Sequence, residues 1–420
     1  MKIKFYLFLL IFIFNAYTGA FVTMVMPSAD RMARLLMFGG DCIIIALALM
    51  SLFKNRSFYG AKYFAVFLLI STLTFIYNSD RIGLVSHLNG LREPLFFLSS
   101  LVVVYDLFQS TEKDRFIRWF TAILLIFAVS ESPLSIYQFL MYGSGDSVGG
   151  TYGTGGGSGI VTLLLFLLTF YFIVKFASQQ DGSNFSVIKT IWFFPLLIPC
   201  GLNETKISFI LLPMFLLLLM ISRKKAYKAI PFLAFGLLLL YMLNHYYSQT
   251  VEDTHDILDT NFMEKYLLSN PTERGGDLPR FQRLTIMFRL MRGDLGYLLL
   301  GLGYGLFGGG NILGVSQVSR SLSYLQGSRI LLFTYWIQGG LLLVLQMLGV
   351  MFTYLRSQWI TSSTLKRFAY YMALVFLAIW AYNEAMLDRV FAAVSAYLIV
   401  WTSNGGNDEE ENESAEVPVT

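Results

Sequence analysis

A succession of apolar runs constrains this chain more than any other feature of its sequence. Each run approaches the ~20 residues that a helix needs to cross the hydrocarbon core of a bilayer. Of the 420 residues, 55% are hydrophobic and only 14% are charged, which excludes a soluble globular domain. The sequence therefore predicts an all-α polytopic membrane protein. The predicted spans lie at 4–26, 35–53, 63–78, 89–108, 119–142, 159–178, 188–202, 206–222, 229–247, 329–354, 368–386 and 389–402.

The basic residues are distributed unevenly between the loops of this predicted bundle. Alternate short loops hold clusters of lysine and arginine, such as those at 223–228 and 366–367, whereas the intervening short loops hold almost none. The positive-inside rule therefore predicts that both termini face the cytoplasm. The predicted organisation is an N-terminal transmembrane bundle of about nine spans at 1–247, a large extracytoplasmic loop containing short helices at 248–328, C-terminal transmembrane helices at 329–403 and a disordered acidic tail at 404–420.

The large loop contains four arginines within an otherwise apolar stretch, PRFQRLTIMFRLMRGD. A helix over 280–292 places Arg289 and Arg292 on its polar side and Arg280 and Arg283 among leucines and methionines. An uncompensated charge on an apolar face is costly, so these two arginines predict an anionic partner. The planar guanidinium matches phosphate or carboxylate. The alternative is a helix at the membrane surface whose arginines reach lipid headgroups.

A glycine run follows the arginine helix, with glycine at 301, 303 and 305. The apolar piece at 295–307 is too short and too rich in glycine for a span, so we expect it to lie against the bundle. A second glycine-rich segment at 143–159 is predicted on the same side of the membrane. It is either a flexible turn or a backbone that approaches a bulky polar ligand closely.

Several ionisable residues interrupt the predicted spans, and such residues are functional candidates by default. They include the pairs Arg92–Glu93 and Glu204–Lys206, for which the alternatives are mutual pairing or side chains that extend to the membrane surface. Glu131 also interrupts a span. The group at 384–389 is interpreted as an ordinary turn at the membrane boundary.

The sequence contains no nucleotide-binding loop and no recognised metal-ligand spacing. The acidic stretch at 252–256 offers oxygen and nitrogen ligands, but a solvated loop explains it better. Cys42 and Cys200 both lie in apolar runs and are predicted to be small buried side chains. We therefore predict no metal and no cofactor.

After the arginine helix the chain reads LLGLGYGLF at 299–307, and it then enters a span through SRILLFTYWIQGG, which ends at Gly339 and Gly340. This arrangement resembles the bacterial O-antigen polymerase/ligase superfamily, in which a helix that begins with an essential arginine leads into a PLxGxGxGxF-like segment. The resemblance covers 280–349 and the overall topology. In ligases of the superfamily the second motif begins with histidine, where this chain has Ser328 and Arg329, so the resemblance favours a polymerase.

The resemblance implies a glycosyltransferase that joins oligosaccharide repeats carried on undecaprenyl diphosphate, on the periplasmic face of the bacterial inner membrane. A chain-length regulator and a flippase are the implied partners, and no nucleic acid is involved. Ligation of the finished glycan and transport of the polysaccharide are the alternative functions. The catalytic candidates are Arg283, Arg280, Asp277 and Glu273, and the substrate-binding candidates are Arg329, Arg92, Glu204, Lys206, Gly301 and Gly303.

Overall fold

The computed structural model describes residues 2–54, 59–143, 147–178, 193–203, 207–208, 211–214, 280–306, 322, 325, 329–357 and 363–415. Within these residues the regular structure is entirely helical, which confirms the all-α class. The predicted spans at 206–222 and 229–247 lie almost wholly outside the described residues, as does most of the large loop. The number of spans and the extent of that loop therefore stay predictions.

The described helices, numbered in chain order, are α1 Lys2–Ala20, α2 Asp30–Lys54, α3 Tyr59–Tyr77, α4 Leu84–Phe108, α5 Lys113–Tyr142, α6 Ser158–Ser178, α7 Ile198–Leu202, α8 Arg280–Met291, α9 Leu295–Leu300, α10 Leu331–Ser357, α11 Ser363–Tyr382 and α12 Arg389–Ala415. Short 3-10 turns at Pro27–Ala29, Gly150–Tyr152, Phe194–Leu197 and Ala385–Leu387 connect some of them.

Six of the described segments are long and apolar enough to cross a membrane. They are Lys2–Val25, Pro27–Phe53, Gly60–Tyr77, Lys113–Tyr142, Ser158–Phe176 and Leu331–Ser357. Helices α4, α11 and α12 coincide with predicted spans, but they are not among the six. In α11 the apolar part, Phe368–Tyr382, is too short to cross a bilayer by itself.

The core of the bundle lies around α4 and α6. Helix α4 packs against α2, α3 and α12, and most of its residues from Leu91 to Phe108 are buried. Helix α6 is apolar on every side and is buried over nearly all of 161–174. A helix that is apolar all round is stable only where other elements cover it, which explains this central position.

The glycine run docks into a break in α10. Gly340 has a φ of 70°, and the helix is interrupted there. The backbone amide of Leu302 donates to the carbonyl of Ile337 at 2.7 Å, and that of Gly303 donates to the carbonyl of Gln338 at 3.1 Å. In an apolar environment each carbonyl that a helix break exposes needs a donor, and the glycine run supplies two. This confirms the expectation that 295–307 lies against the bundle, as far as residue 306.

At the closest contacts between the glycine run and the bundle, only glycine fits, because any side chain would collide with neighbouring backbone. A Cβ added to Gly340 would lie 2.1 Å from the carbonyl oxygen of Leu299. A Cβ added to Gly90 on α4 would lie 1.9 Å from the amide nitrogen of Gly305. The spacing of the glycines therefore reflects close approach of backbones on both sides of the run.

One expectation from the sequence, that both cysteines are buried, is wrong. Helix α12 is described as far as Ala415, and the disorder of the acidic tail stays a prediction. Glutamate is a good helix former, and a helix anchored in the bundle can extend through such residues. Cys42 is exposed, unlike Cys200. Its neighbour Asp41 points into the bundle, and one residue along a helix turns the side chain by about 100°.

Candidate active site

Helix α8 carries the predicted arginines, and its two faces differ as the sequence predicts. Arg283 is only 1% exposed, whereas Arg289 and Arg292 are exposed. Met287 and Met291 follow Arg283 at intervals of four residues on the same face, and both are fully buried. The predicted helix is therefore confirmed, and Arg283 lies on its buried face.

The buried face of α8 packs against α10. Met287 and Met291 form a small apolar cluster with Ile330, Phe333 and Leu306, among others. A guanidinium costs much to bury in such surroundings, because burial strips it of water. A charge retained at such a position in a membrane protein is a functional candidate by default.

A second group of charged residues joins α2, α4 and α12 around Asp41, which is 1% exposed. The Nε of Arg389 donates to Asp41 Oδ1 at 2.7 Å, and its Nη2 donates to Oδ2 at 2.9 Å. The Nη1 of Arg92 lies 3.0 Å from Oδ2 of the same carboxylate. One buried carboxylate therefore holds two arginines from different helices.

Arg329 extends this group towards the first residues of α10. Its Nη2 donates to Glu384 Oε1 at 2.6 Å, and Thr334 Oγ1 donates to Oε2 at 3.1 Å. Glu93 on α4 interacts electrostatically with all three of these arginines and with Glu384. We call this set the charge cluster; its members are Asp41, Arg92, Glu93, Arg329, Glu384 and Arg389.

The charge cluster and Arg283 lie at the same end of the bundle. Arg329 immediately precedes Ile330, which packs with Met287 on the face of α8 that buries Arg283. Arg329 and Arg92, which are distant in the sequence, thus belong to one charge cluster, and Arg283 lies on a helix that packs beside the start of α10. A guanidinium can bind a diphosphate, whose oxygens match its planar donors.

The second glycine-rich segment is held beside this end by buried polar side chains. Gln138 accepts a hydrogen bond from the Gly150 amide at 2.7 Å and donates to the Gly150 carbonyl at 2.8 Å. The Thr151 amide donates to Glu131, which is fully buried. Glu131 therefore anchors this segment, which accounts for the presence of an ionisable residue inside a predicted span.

Two further carboxylates position the neighbouring turns. The Tyr152 hydroxyl donates to Asp388, and burial raises the pKa of that carboxyl above its ordinary value. Asp294 begins α9 by accepting from the Gly296 amide at 2.8 Å. The hydrogen bond from the Tyr77 hydroxyl lowers the pKa of Asp294. Asp294 thereby fixes α9, and with it the glycine run, to the end of α3.

Other sequence candidates lie beyond the described residues or serve packing. Glu273, Asp277, Glu204 and Lys206 are outside the described residues, as is the side chain of Arg280. Gly301 and Gly303 are described, and both have a positive φ, 75° and 101°. In the structure, these two glycines let the glycine run pack closely against α10 and against the connection between α3 and α4.

Sequence reasoning misjudged three members of the charge cluster. The stretch at 384–389 is predicted as an ordinary turn, but Arg389 reaches the buried Asp41, and Glu384 accepts from Arg329 and Thr334. Sequence reasoning also overlooked Asp41, although a single aspartate within the apolar run MFGGDCIII is a signal. Arg92, for which the sequence offers pairing with Glu93 as an alternative, instead forms its close ion pair with Asp41.

No protein-family model matches this chain, and no curated protein matches it.

Proposed function

We propose that this chain is a membrane glycosyltransferase that polymerises a surface polysaccharide of the O-antigen or capsule type. Its substrates are oligosaccharide repeats carried on undecaprenyl diphosphate at the periplasmic face of the bacterial inner membrane. The observation that carries the proposal is the burial of Arg283 on α8, beside a glycine run that docks into the break of α10. These are the segments in which the sequence resembles the O-antigen polymerase/ligase superfamily.

The proposed reaction needs a group that stabilises negative charge. A hydroxyl of the acceptor sugar attacks the anomeric carbon of the donor, a new C–O bond forms, and the bond from that carbon to the diphosphate oxygen breaks. The leaving diphosphate takes the electron pair, and the hydroxyl proton passes to a base. Fixed guanidinium groups in a site with little water stabilise the developing charge on the diphosphate.

Each charged candidate residue has a part in this proposal. Arg283 is the principal contact to the leaving diphosphate, and Arg280, one turn earlier in the helix, is the second. Arg329 and Arg92 contribute further phosphate contacts from the charge cluster. Asp277 and Glu273 are the proposed bases, with Glu204 as a third candidate and Lys206 beside it as a further contact to the substrate.

The proposal also includes the finer topology predicted from the sequence. About twelve spans cross the inner membrane, both termini face the cytoplasm, and the loop at 248–328 faces the periplasm. In that orientation Arg283 and the charge cluster lie at the periplasmic end of the bundle, where flipped lipid-linked repeats are presented.

Deletion of the gene in its native host, followed by analysis of the surface glycan, tests the proposal. A polymerase deletion leaves single repeats attached to the surface acceptor, and wild-type complementation restores long chains. Polymer retained on the carrier lipid with an undecorated acceptor would instead indicate a ligase. Loss of all outward glycan would indicate a transporter, and an unchanged glycan would contradict every one of these functions.

A further inference from the structure

A lateral groove runs between α3 and α10, at the opposite end of α3 from the glycine run. It has a volume of about 600 Å³. The residues that line it are Lys62, Tyr63, Val66 and Ile70 on α3 and Leu342, Leu345, Gln346 and Thr353 on α10. Neither the charge cluster nor α8 contributes to it.

The groove is polar at one end and apolar at the other. The two helices are antiparallel. Near the start of α3, the Tyr63 hydroxyl donates to the carbonyl of Gly349, in the second half of α10, at 2.8 Å. Near the end of α3, the Thr74 hydroxyl donates to the carbonyl of Leu300, beside the break in α10 at Gly340. Lys62 and Thr353 therefore lie at the polar end. Val66 and Leu345 continue along the groove with exposed apolar side chains. An amphiphile that follows the helix axes would match this gradient.

One residue that lines the groove, Gln346, has a buried acceptor without a donor. Gln346 is 6% exposed, and its Nε2 donates to the Tyr63 carbonyl at 2.6 Å. Because the Tyr63 carbonyl can only accept a hydrogen bond, the side-chain amide of Gln346 must turn its nitrogen towards it. The Oε1 of Gln346 therefore points away from Tyr63. No donor reaches this Oε1 within the part of the chain that the structure describes. A buried acceptor without a donor is costly, so a hydroxyl or ammonium group that reaches Oε1 from the groove would stabilise it.

The charge at the polar end is positive. Lys62 is exposed there, and Arg356 lies one helical turn beyond Thr353. Across the described ranges, neither residue is within ion-pair distance of a carboxylate. None of the residues that line the groove is acidic. The positive charge therefore favours an anionic headgroup.

We propose that this groove is a binding site for an anionic phospholipid whose headgroup carries hydroxyl groups, as in phosphatidylglycerol. The Lys62 ammonium binds the phosphate, and a headgroup hydroxyl donates to Gln346 Oε1. One acyl chain lies along Val66, Ile70 and Leu342. The inference is independent of the polymerase proposal, because it uses neither Arg283 nor the charge cluster.

Native mass spectrometry of the full-length protein in detergent, titrated with phosphatidylglycerol or with phosphatidylcholine of the same acyl chains, tests this site. We expect wild-type protein to bind at least one phosphatidylglycerol about fivefold more tightly than phosphatidylcholine, the factor expected for one lysine at an anionic headgroup. Lys62→Ala should remove that preference. Val66→Trp, which fills the apolar part, should remove the bound lipid while the protein elutes as a single species.

Arg118→Ala is the matched control, because Arg118 is an exposed basic residue that does not line the groove. It should bind phosphatidylglycerol as wild type does. Equal losses in Lys62→Ala and Arg118→Ala would overturn the proposal, since they would indicate general attraction of lipid to basic residues. Equal binding of the two phospholipids would also overturn it. Displacement of phosphatidylglycerol by equimolar undecaprenyl phosphate would overturn it as well, because the groove would then bind the carrier lipid. If Val66→Trp dissociated a dimer and the protein kept its bound lipid, the groove would be a contact between two copies of the chain, which would also overturn the proposal.

Discussion

At the scale of single residues, Arg283 is the group on which the proposed chemistry depends most. Arg283→Ala should lower chain extension about 100-fold or more, the loss typical of removing one donor that stabilises developing charge. Arg283→Lys should restore little activity, because an ammonium does not reproduce the planar donors of a guanidinium. Glycan length per unit of membrane-inserted protein measures both effects.

Arg289→Ala is the control for Arg283, since it removes the same charge from the same helix at an exposed position. We expect near-normal chain length from this variant. Equally severe losses in both variants would contradict the role of the buried face. They would favour attraction of the whole helix to lipid headgroups.

Asp41 is the residue that holds the charge cluster together, and its removal should destabilise the protein. Asp41→Asn leaves Arg92 and Arg389 beside a neutral group in the bundle, at a cost of about 3–5 kcal/mol for a broken buried pair. The melting temperature in detergent should fall clearly. Asp30→Asn breaks the exposed Asp30–Arg34 pair and should cost about 1 kcal/mol or less. Equal melting temperatures for the two variants would refute this account of Asp41.

The sequence predicted Arg283 and not Asp41 for a physical reason. The burial of Arg283 follows from the helical periodicity of its own neighbours, which is local information. Asp41 acquires its role from Arg389, which is 348 residues away, so only the packing of α2 against α4 and α12 brings the partners together.

At the scale of elements, the docking of the glycine run into the break of α10 positions both α9 and the end of α3. The paired glycines predicted a turn, and the turn is present at Gly340. Which segment fills the break could not be predicted, because the contact joins residues that are distant in the sequence and depends on close backbone approach.

Gly340→Ala should disrupt this docking. The position has a φ of 70°, which costs a residue with a side chain about 1–2 kcal/mol, and the added Cβ would also collide with the Leu299 carbonyl. We expect a lower melting temperature and a loss of chain extension. Gly39→Ala is the control, because nothing lies within 4 Å of its added Cβ and alanine favours helix. It should be neutral or slightly stabilising, and a similar loss in both variants would contradict the docking argument.

At the scale of the whole molecule, the predicted orientation follows from the asymmetry of basic residues between the short loops. Reporter fusions after Lys225 and after Arg367 should report the cytoplasm, and fusions near Asp256 and Ser316 should report the periplasm. A periplasmic signal after Lys225 would reverse the map. It would also place Arg283 on the wrong side of the membrane for flipped repeats.

The all-α class was predictable because apolar runs of this length leave a membrane protein few other structures. The arrangement of helices was not, since hydropathy does not tell which face of α4 or α6 meets which neighbour.

The most direct test of the central claim uses the purified protein in nanodiscs with repeats linked to undecaprenyl diphosphate, without ATP and with excess chelator. The account predicts a ladder of polymer from wild-type protein and only unextended repeats from Arg283→Ala. It predicts a metal-independent reaction because the arginines stabilise the leaving diphosphate. No polymer from wild-type protein until magnesium or manganese is added would contradict that mechanism. An equal ladder from Arg283→Ala would contradict the central claim.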